Sequence, residues 1–324
     1  MAQGDRETIE ELLSSETEKF RKFVKNFLRK MKSPETSEII REYLESGRPD
    51  LVIEYINNQS SDFNAAILAA FLGGATAETL LIASQILDNR ISTSFDITYY
   101  NTVAELAKIQ GDFVRQFNAS NSELFRKISA DMISGRYAIN EAVKLIIENY
   151  GLTPKQFDAV QSYRIALENL SSNALQRELR DVKYDNFIRS AIDKGKVFTA
   201  TEIERMVRSY RRNMIESRVG SISRTMAKAA LETGRAQAAL QIERKLANNG
   251  LKIVKEWRSK RDGRVRYTHQ HGNLDGQVVE ENKTFLSPSG ARLRYPGDPQ
   301  APLRETINCR CMLLRYVAPI QEKI

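Results

Sequence analysis

The sequence predicts a mainly α protein: a long helical body carrying a small C-terminal α+β module of strands and loops. Three observations predict it. Apolar residues recur at helical spacing through most of the first 250 positions, and Ser/Thr–Pro helix-start signals punctuate that stretch. After Gly250 the pattern changes to short β-prone runs separated by Gly- and Pro-containing turns. At 324 residues the chain exceeds one small domain. The divisions that follow are an N-terminal helical region (1–60), a helical body (61–200), an Arg-rich long helix or helices (201–250) and the strand-and-loop module (251–324).

The elements follow in order. From Arg6 to Met31, Ile9, Leu12, Leu13, Phe20, Phe23, Val24, Phe27, Leu28 and Met31 trace one helical face. Lys32-Ser33-Pro34 ends that helix, and Ser33 caps the next with Pro34 at its first position. Residues 35–57 are helical, with a break at Gly47-Arg48-Pro49, and 57–62 is a polar linker. The most apolar stretch, Ala65 to Leu87, is divided by Gly73-Gly74 and carries Glu78, which predicts two short packed helices (about 64–72 and 75–90) rather than a membrane span. Helices are expected at about 98–117, 121–134 and 138–149, with Gly135 and Gly151 marking ends. Thr153-Pro154 opens another helix, running to about Ser171, and 173–194 reads as helical again. Thr199 or Thr201 caps the Arg-rich segment, one helix or two, which Gly250 terminates. The β-prone runs are 253–257, 277–279 and 312–317, with turns at 261–264, 274–277, 287–290 and 295–299.

Composition excludes several classes. Hydrophobic residues at 41% and charged residues at 28% do not fit a disordered or fibrous chain. Two cysteines exclude a disulfide framework and fit a reducing compartment, and the acidic, polar first 15 residues do not read as a secretory signal. No G-x-x-x-x-G-K-S/T loop exists, which argues against an ATP-driven motor. Charge is uneven: the net is −2 over 1–60, −3 over 61–204, +12 over 205–266 and +1 over 267–324. The whole basic excess therefore lies in one 62-residue block, which points to an anionic partner or to a solvated Arg-rich face. Arg205, Arg208, Arg211 and Arg212 share a broad helix face and Arg218 lies near it, making these five the candidate polyanion contacts. Tyr210 and Trp257 are the few aromatics of the block, so duplex phosphate backbone fits better than single-strand stacking.

Residues 217–235 form an Arg-rich helix, and a set of spaced motifs follows it. These are Trp257, Asp262 with Arg264 and Arg266, His269, Asp275-Gly276, Pro296-Gly297-Asp298 and Asn308-Cys309-Arg310-Cys311. Their order and spacing resemble the phage Mu F-like head-morphogenesis family, minor head proteins of tailed double-stranded DNA phages, over about 217–317. The resemblance implies a minor capsid component inside the head near the portal, with the portal protein or inner shell as partner and packaged DNA as a further one. It implies a virion location, with host cytoplasm and no membrane during assembly. Trp257, Asp262, Arg266, His269, Gly276, Asn308, Cys309 and Cys311 would be the family-motif structural residues. Some relatives carry a toxin-like enzymatic domain after this module, and none is expected here.

The same residues also read on their own chemistry. Cys309 and Cys311 point to one face if their run is a strand, and with His269 they make three soft-metal ligand types, His271 being a possible fourth. Arg266 and Thr306 stand where other family members look to have Cys and His, so the preferred expectation is no cofactor, with small buried thiols beside a hydrogen-bonded histidine and zinc as the alternative. A Cys309–Cys311 disulfide is not expected, because an extended strand holds i and i+2 too far apart. Asp262 reads as one side of a salt-bridged turn with Arg264 or Arg266. Trp257 is expected to pack the module against the helical body. The leading expectation is a structural assembly protein and not an enzyme. The alternatives are an internal protein ejected with the genome, or a Cys-His or metal-dependent nuclease or toxin-like enzyme, the last using Asp262, His269, Asp275 and Asp298.

Overall fold

The computed structural model describes residues 2–86, 91–260 and 271–320. The chain is 69% helical, and among the described residues antiparallel strands are confined to the segment after Gly250. The order is α1 (Ala2–Lys30), α2 (Pro34–Glu45), α3 (Pro49–Gln59), α4 (Phe63–Ala83), α5 (Tyr100–Ile133), α6 (Ile139–Asn149), α7 (Pro154–Glu168), α8 (Asp185–Lys194) and α9 (Ala200–Ala247). Then follow β1 (Leu251–Arg258), β2 (Val278–Glu280), β3 (Phe285–Leu286), β4 (Arg292–Leu293), the single turn α10 (Leu303–Thr306) and β5 (Met312–Pro319). These pieces form two compact units, one of residues 1–23, 62–113 and 221–324, the other of 24–61 and 114–220. Helices α1, α5 and α9 each contribute to both.

Local start and stop signals act as their chemistry dictates. The Ser33 hydroxyl accepts from the Thr36 amide with Pro34 in the first turn, and Thr153 and Gln156 close a reciprocal capping box. Thr199 is the cap of α9: its hydroxyl accepts from the Glu202 amide at 3.3 Å, and Glu202 accepts from the Thr199 amide at 2.8 Å. Gly135, Gly151 and Gly250 follow helix ends at positive φ.

In the unit of 24–61 and 114–220, Phe27, Phe117, Phe125 and Tyr150 form one aromatic core, with Phe125 stacked on Tyr150 at 5.9 Å. The expected separate helices at 98–117 and 121–134 are one continuous helix, α5. Its polar residues do not break it, because Asn121 donates back to the Phe117 carbonyl at 3.0 Å and accepts the Gly151 amide at 3.2 Å. The expected helix at 173–194 is helical only as α8, preceded by two 3-10 turns at Ser172–Gln176 and Val182–Tyr184. Ser171 and Asp181 accept the Asn173 and Lys183 amides, local bonds that favour tight turns over a continued α-helix.

The other unit is organised around α4 and α9. The sequence suggested two short helices meeting at Gly73-Gly74, yet α4 runs through both glycines. The reason is helix contact. A Cβ on Gly74 would lie 2.1 Å from the Leu231 carbonyl oxygen, and one on Gly234 would lie 2.0 Å from that of Phe71. Two glycines facing each other let the backbones touch. Beside this contact lies a buried charge cluster. Glu78 accepts from Arg235 Nε at 2.6 Å and faces Arg315 Nη1 at 3.5 Å. Arg235 also donates to Glu232 at 2.9 Å and to the Leu313 carbonyl at 3.0 Å. Arg315 forks onto Glu281 at 2.8 and 3.1 Å, while Lys255 donates to the Glu281 carbonyl at 2.7 Å. The interruption of the apolar stretch at Glu78 is thus one half of an internal ion pair.

The sheet order is β2-β1-β5, all antiparallel, with Val254 opposite Glu280 and Trp257 opposite Leu313. Ile253, Lys255 and Trp257 share the buried face of β1, and Trp257, fully buried, packs with Ala236 of α9, Phe285, Leu293, Tyr295 and Leu313. That is the packing role expected of the single Trp. β3 and β4 form a two-residue ladder flanking the predicted 287–290 turn, too short for a periodicity signal.

Candidate functional site

The resemblance-bearing residues that the structure describes gather within the strand-and-loop module, each held by a definable contact. The Trp257 and Gln277 backbones pair at 2.9 Å, and Gly276, at φ 80°, donates to the Trp257 carbonyl at 2.8 Å. Asp275 accepts the Ser259 amide at 2.8 Å. In the Tyr-Pro-Gly-Asp-Pro turn, Asp298 is buried and receives the Arg294 backbone amide at 3.0 Å and its guanidinium at 2.7 Å, and the Tyr295 hydroxyl reaches Thr233 of α9 at 2.9 Å. Asn308, at φ 54°, pins the next turn to α9: its side chain accepts from Arg224 at 3.0 Å and donates to Ser221 at 3.1 Å, and its amide donates to Thr225 at 3.2 Å. Asp262, Arg266 and His269 lie outside the described residues, as does the Asp262 turn.

The thiols of Cys309 and Cys311 meet His271. Its Nδ1 is 3.6 Å from Cys309 Sγ and 3.9 Å from Cys311 Sγ, and its Nε2 is 2.8 Å from Glu305 Oε2. Ser289 donates to the other Glu305 oxygen, and the Trp257 ring stands edge-on to the imidazole at 5.4 Å between centroids. Both cysteines are free thiols, and they lie in the irregular segment before β5 rather than on a strand as the sequence suggested. The Cys309 contact and the neighbouring imidazole draw the Cys311 thiol down to about 4, while the same contact and burial push Cys309 up. Burial opposes charge on His271, but Cys311 and Glu305 outweigh it and raise its pKa. Cys309 is half-buried and lines a cleft of about 520 Å³ together with Arg224, Lys228, Lys260, Arg310 and the α1 carboxylates Glu10, Glu11 and Glu18.

No family model, curated protein or solved structure matches this chain.

The five arginines proposed from charge patterning separate on the folded helix. Arg205, Arg208 and Arg212 are exposed. Arg211 is buried, paired with Glu148 at 2.8 Å and Glu204 at 3.9 Å. Arg218 is half-buried, close to Gln156 at 3.5 Å, and burial lowers its pKa to about 10. Arg208, Arg211 and Arg212 line a cleft of about 690 Å³ whose other cations are Lys25, Arg29 and Lys32 of the α1 end, against two carboxylates, Glu148 and Glu216. Burial and Arg211 depress Lys32. The three α1-end cations were missed by the block count because their segment is net acidic. Their i, i+4, i+7 spacing is the signal that finds them, since it puts all three on one helix face.

Proposed function

We propose that the chain is a minor head protein of a tailed double-stranded DNA phage, of the Mu F-like head-morphogenesis kind. It would act inside the capsid near the portal, in assembly and in packaging or ejection of the genome. The observation that carries this reading is the use to which the motif residues are put. Trp257, Gly276, Asp298 and Asn308 pack the strand-and-loop module and pin it to α9, which is the work of a docking element rather than of a substrate site. The basic cleft supports a polyanion partner: Arg29, Arg208 and Arg212 are exposed in its lining, which holds six cations to two carboxylates, a balance suited to phosphate contacts without sequence choice. Non-enzymatic function is part of the same proposal, with ejection alongside the genome as its nearest variant.

Quantitative mass spectrometry of particles purified from a host carrying the gene tests it. A few copies per head, retained in emptied particles, is the expected result, while loss from emptied particles selects the ejected variant. Absence from particles overturns the proposal, as does nucleic-acid cleavage abolished by His271→Ala.

A further inference from the structure

We propose that His271, Cys309 and Cys311 form a binding site for a zinc-class divalent cation, held by one imidazole nitrogen and two thiolates. Their donor atoms all lie within 4.8 Å of one another. A tetrahedral zinc ion, with bonds of about 2.3 Å to sulfur and about 2.0–2.1 Å to nitrogen, separates a sulfur ligand from a nitrogen ligand by about 3.6 Å. The two sulfur–Nδ1 distances, 3.6 and 3.9 Å, are therefore close to edges of such a tetrahedron. A simple thiol–imidazole hydrogen bond needs one sulfur at Nδ1, and here two converge on it.

The far side of the ring carries the second, independent observation. Nε2 faces the fully buried carboxylate of Glu305 at 2.8 Å. With a proton on Nε2 donated to that carboxylate, Nδ1 is the nitrogen that would face the metal, the carboxylate–histidine–metal arrangement. Thiolate and imidazole donors select a zinc-class ion over magnesium or calcium. A Cys-His-Glu nucleophile would use the same Nδ1 and Glu305, but it needs only one sulfur and leaves the second thiol without a role. Among the described residues no fourth His, Cys, Asp or Glu joins the group. The cleft at Cys309 gives the ion a path from solvent, and binding releases the thiol proton. Such an ion ties the His271–Leu274 turn to the residues leading into β5. The inference does not depend on the virion role.

The test uses the full-length protein, stripped by chelator and titrated with Co2+. One equivalent should produce tetrahedral visible bands and a sulfur-to-cobalt charge-transfer band, both displaced by Zn2+. Glu305→Gln should weaken Co2+ binding about 10–100-fold, and Cys309→Ser should diminish the charge-transfer band. If those variants fold poorly, iodoacetamide labelling of the wild-type chain decides: Zn2+ should protect Cys309, the thiol that lines the cleft. Labelling equal with and without Zn2+, or absence of the charge-transfer band, overturns the site.

Discussion

Replacing Gly74 by alanine tests the packing of α4 on α9. The added methyl would sit 2.1 Å from the Leu231 carbonyl oxygen, where ordinary contact begins at 3.4 Å, a deficit of about 1.3 Å against backbone that cannot rotate aside. The helices must therefore part, and parting them stretches the 2.6 Å Glu78–Arg235 bond, whose members are both 1% exposed. Overpacking costs about 1–3 kcal/mol, and full separation of a buried pair costs about 3–5 kcal/mol. The helix-propensity gain of Gly→Ala returns about 0.5–1 kcal/mol. A net loss of about 2–4 kcal/mol is expected, a fall of roughly 5–15 °C in the melting transition of this unit. Gly111→Ala is the matched control, in the interior of α5, exposed, with nothing within 4 Å of its new methyl, and should gain stability. Thermal melts followed by circular dichroism compare the two. Equal stability of Gly74→Ala and Gly111→Ala would refute the close-contact reasoning.

Two further outcomes follow from charges whose surroundings are defined. Burial holds the Lys255 ammonium down to about 8 against its ordinary 10.5, so between those values the unfolded chain carries a proton that the folded one lacks. Stability should therefore climb as pH rises above about 8 and be insensitive to this group below it; denaturation midpoints across that window should show the climb in wild type and not in Lys255→Met. In the basic cleft, Arg208→Ala with Arg212→Ala should weaken binding to duplex DNA or heparin. The same pair should flatten the log K against log salt slope by about 0.9 for each phosphate no longer neutralised, so an unchanged slope would defeat the polyanion reading. Arg211→Ala should instead lower folding stability by about 1–3 kcal/mol, because it strips Glu148 of its partner.

Much of the helical body was readable because its signals are local. A cap needs only the residues that form it, and Ser33-Pro34, Thr153-Pro154-Gln156 and Thr199-Glu202 each carry their own partner within a turn. Gly73-Gly74 was ambiguous for the opposite reason. A glycine that breaks a helix and one that admits a neighbouring backbone look identical until Leu231 and Phe71 are placed beside them. The same limit applies to the arginines: periodicity put Arg211 and Arg208 on one face but could not say that Glu148 would cover only the first. Of the candidate site, both thiols were legible from their i, i+2 spacing. The part played by His271 was not, since it turns on Glu305, which lies 34 residues away; His269 lies outside the described residues.

The charge cluster around Glu78 has a consequence for how the chain is made. Its carboxylates come from positions 78, 232 and 281, and one of its cations, Arg315, emerges from the ribosome after all the other members. Until then Glu281 lacks its forked partner, and β1 lacks the neighbour with which its whole length pairs. The unit that holds them must complete its folding later, while the unit assembled from 24–61 and 114–220 has all its residues in hand about a hundred codons earlier.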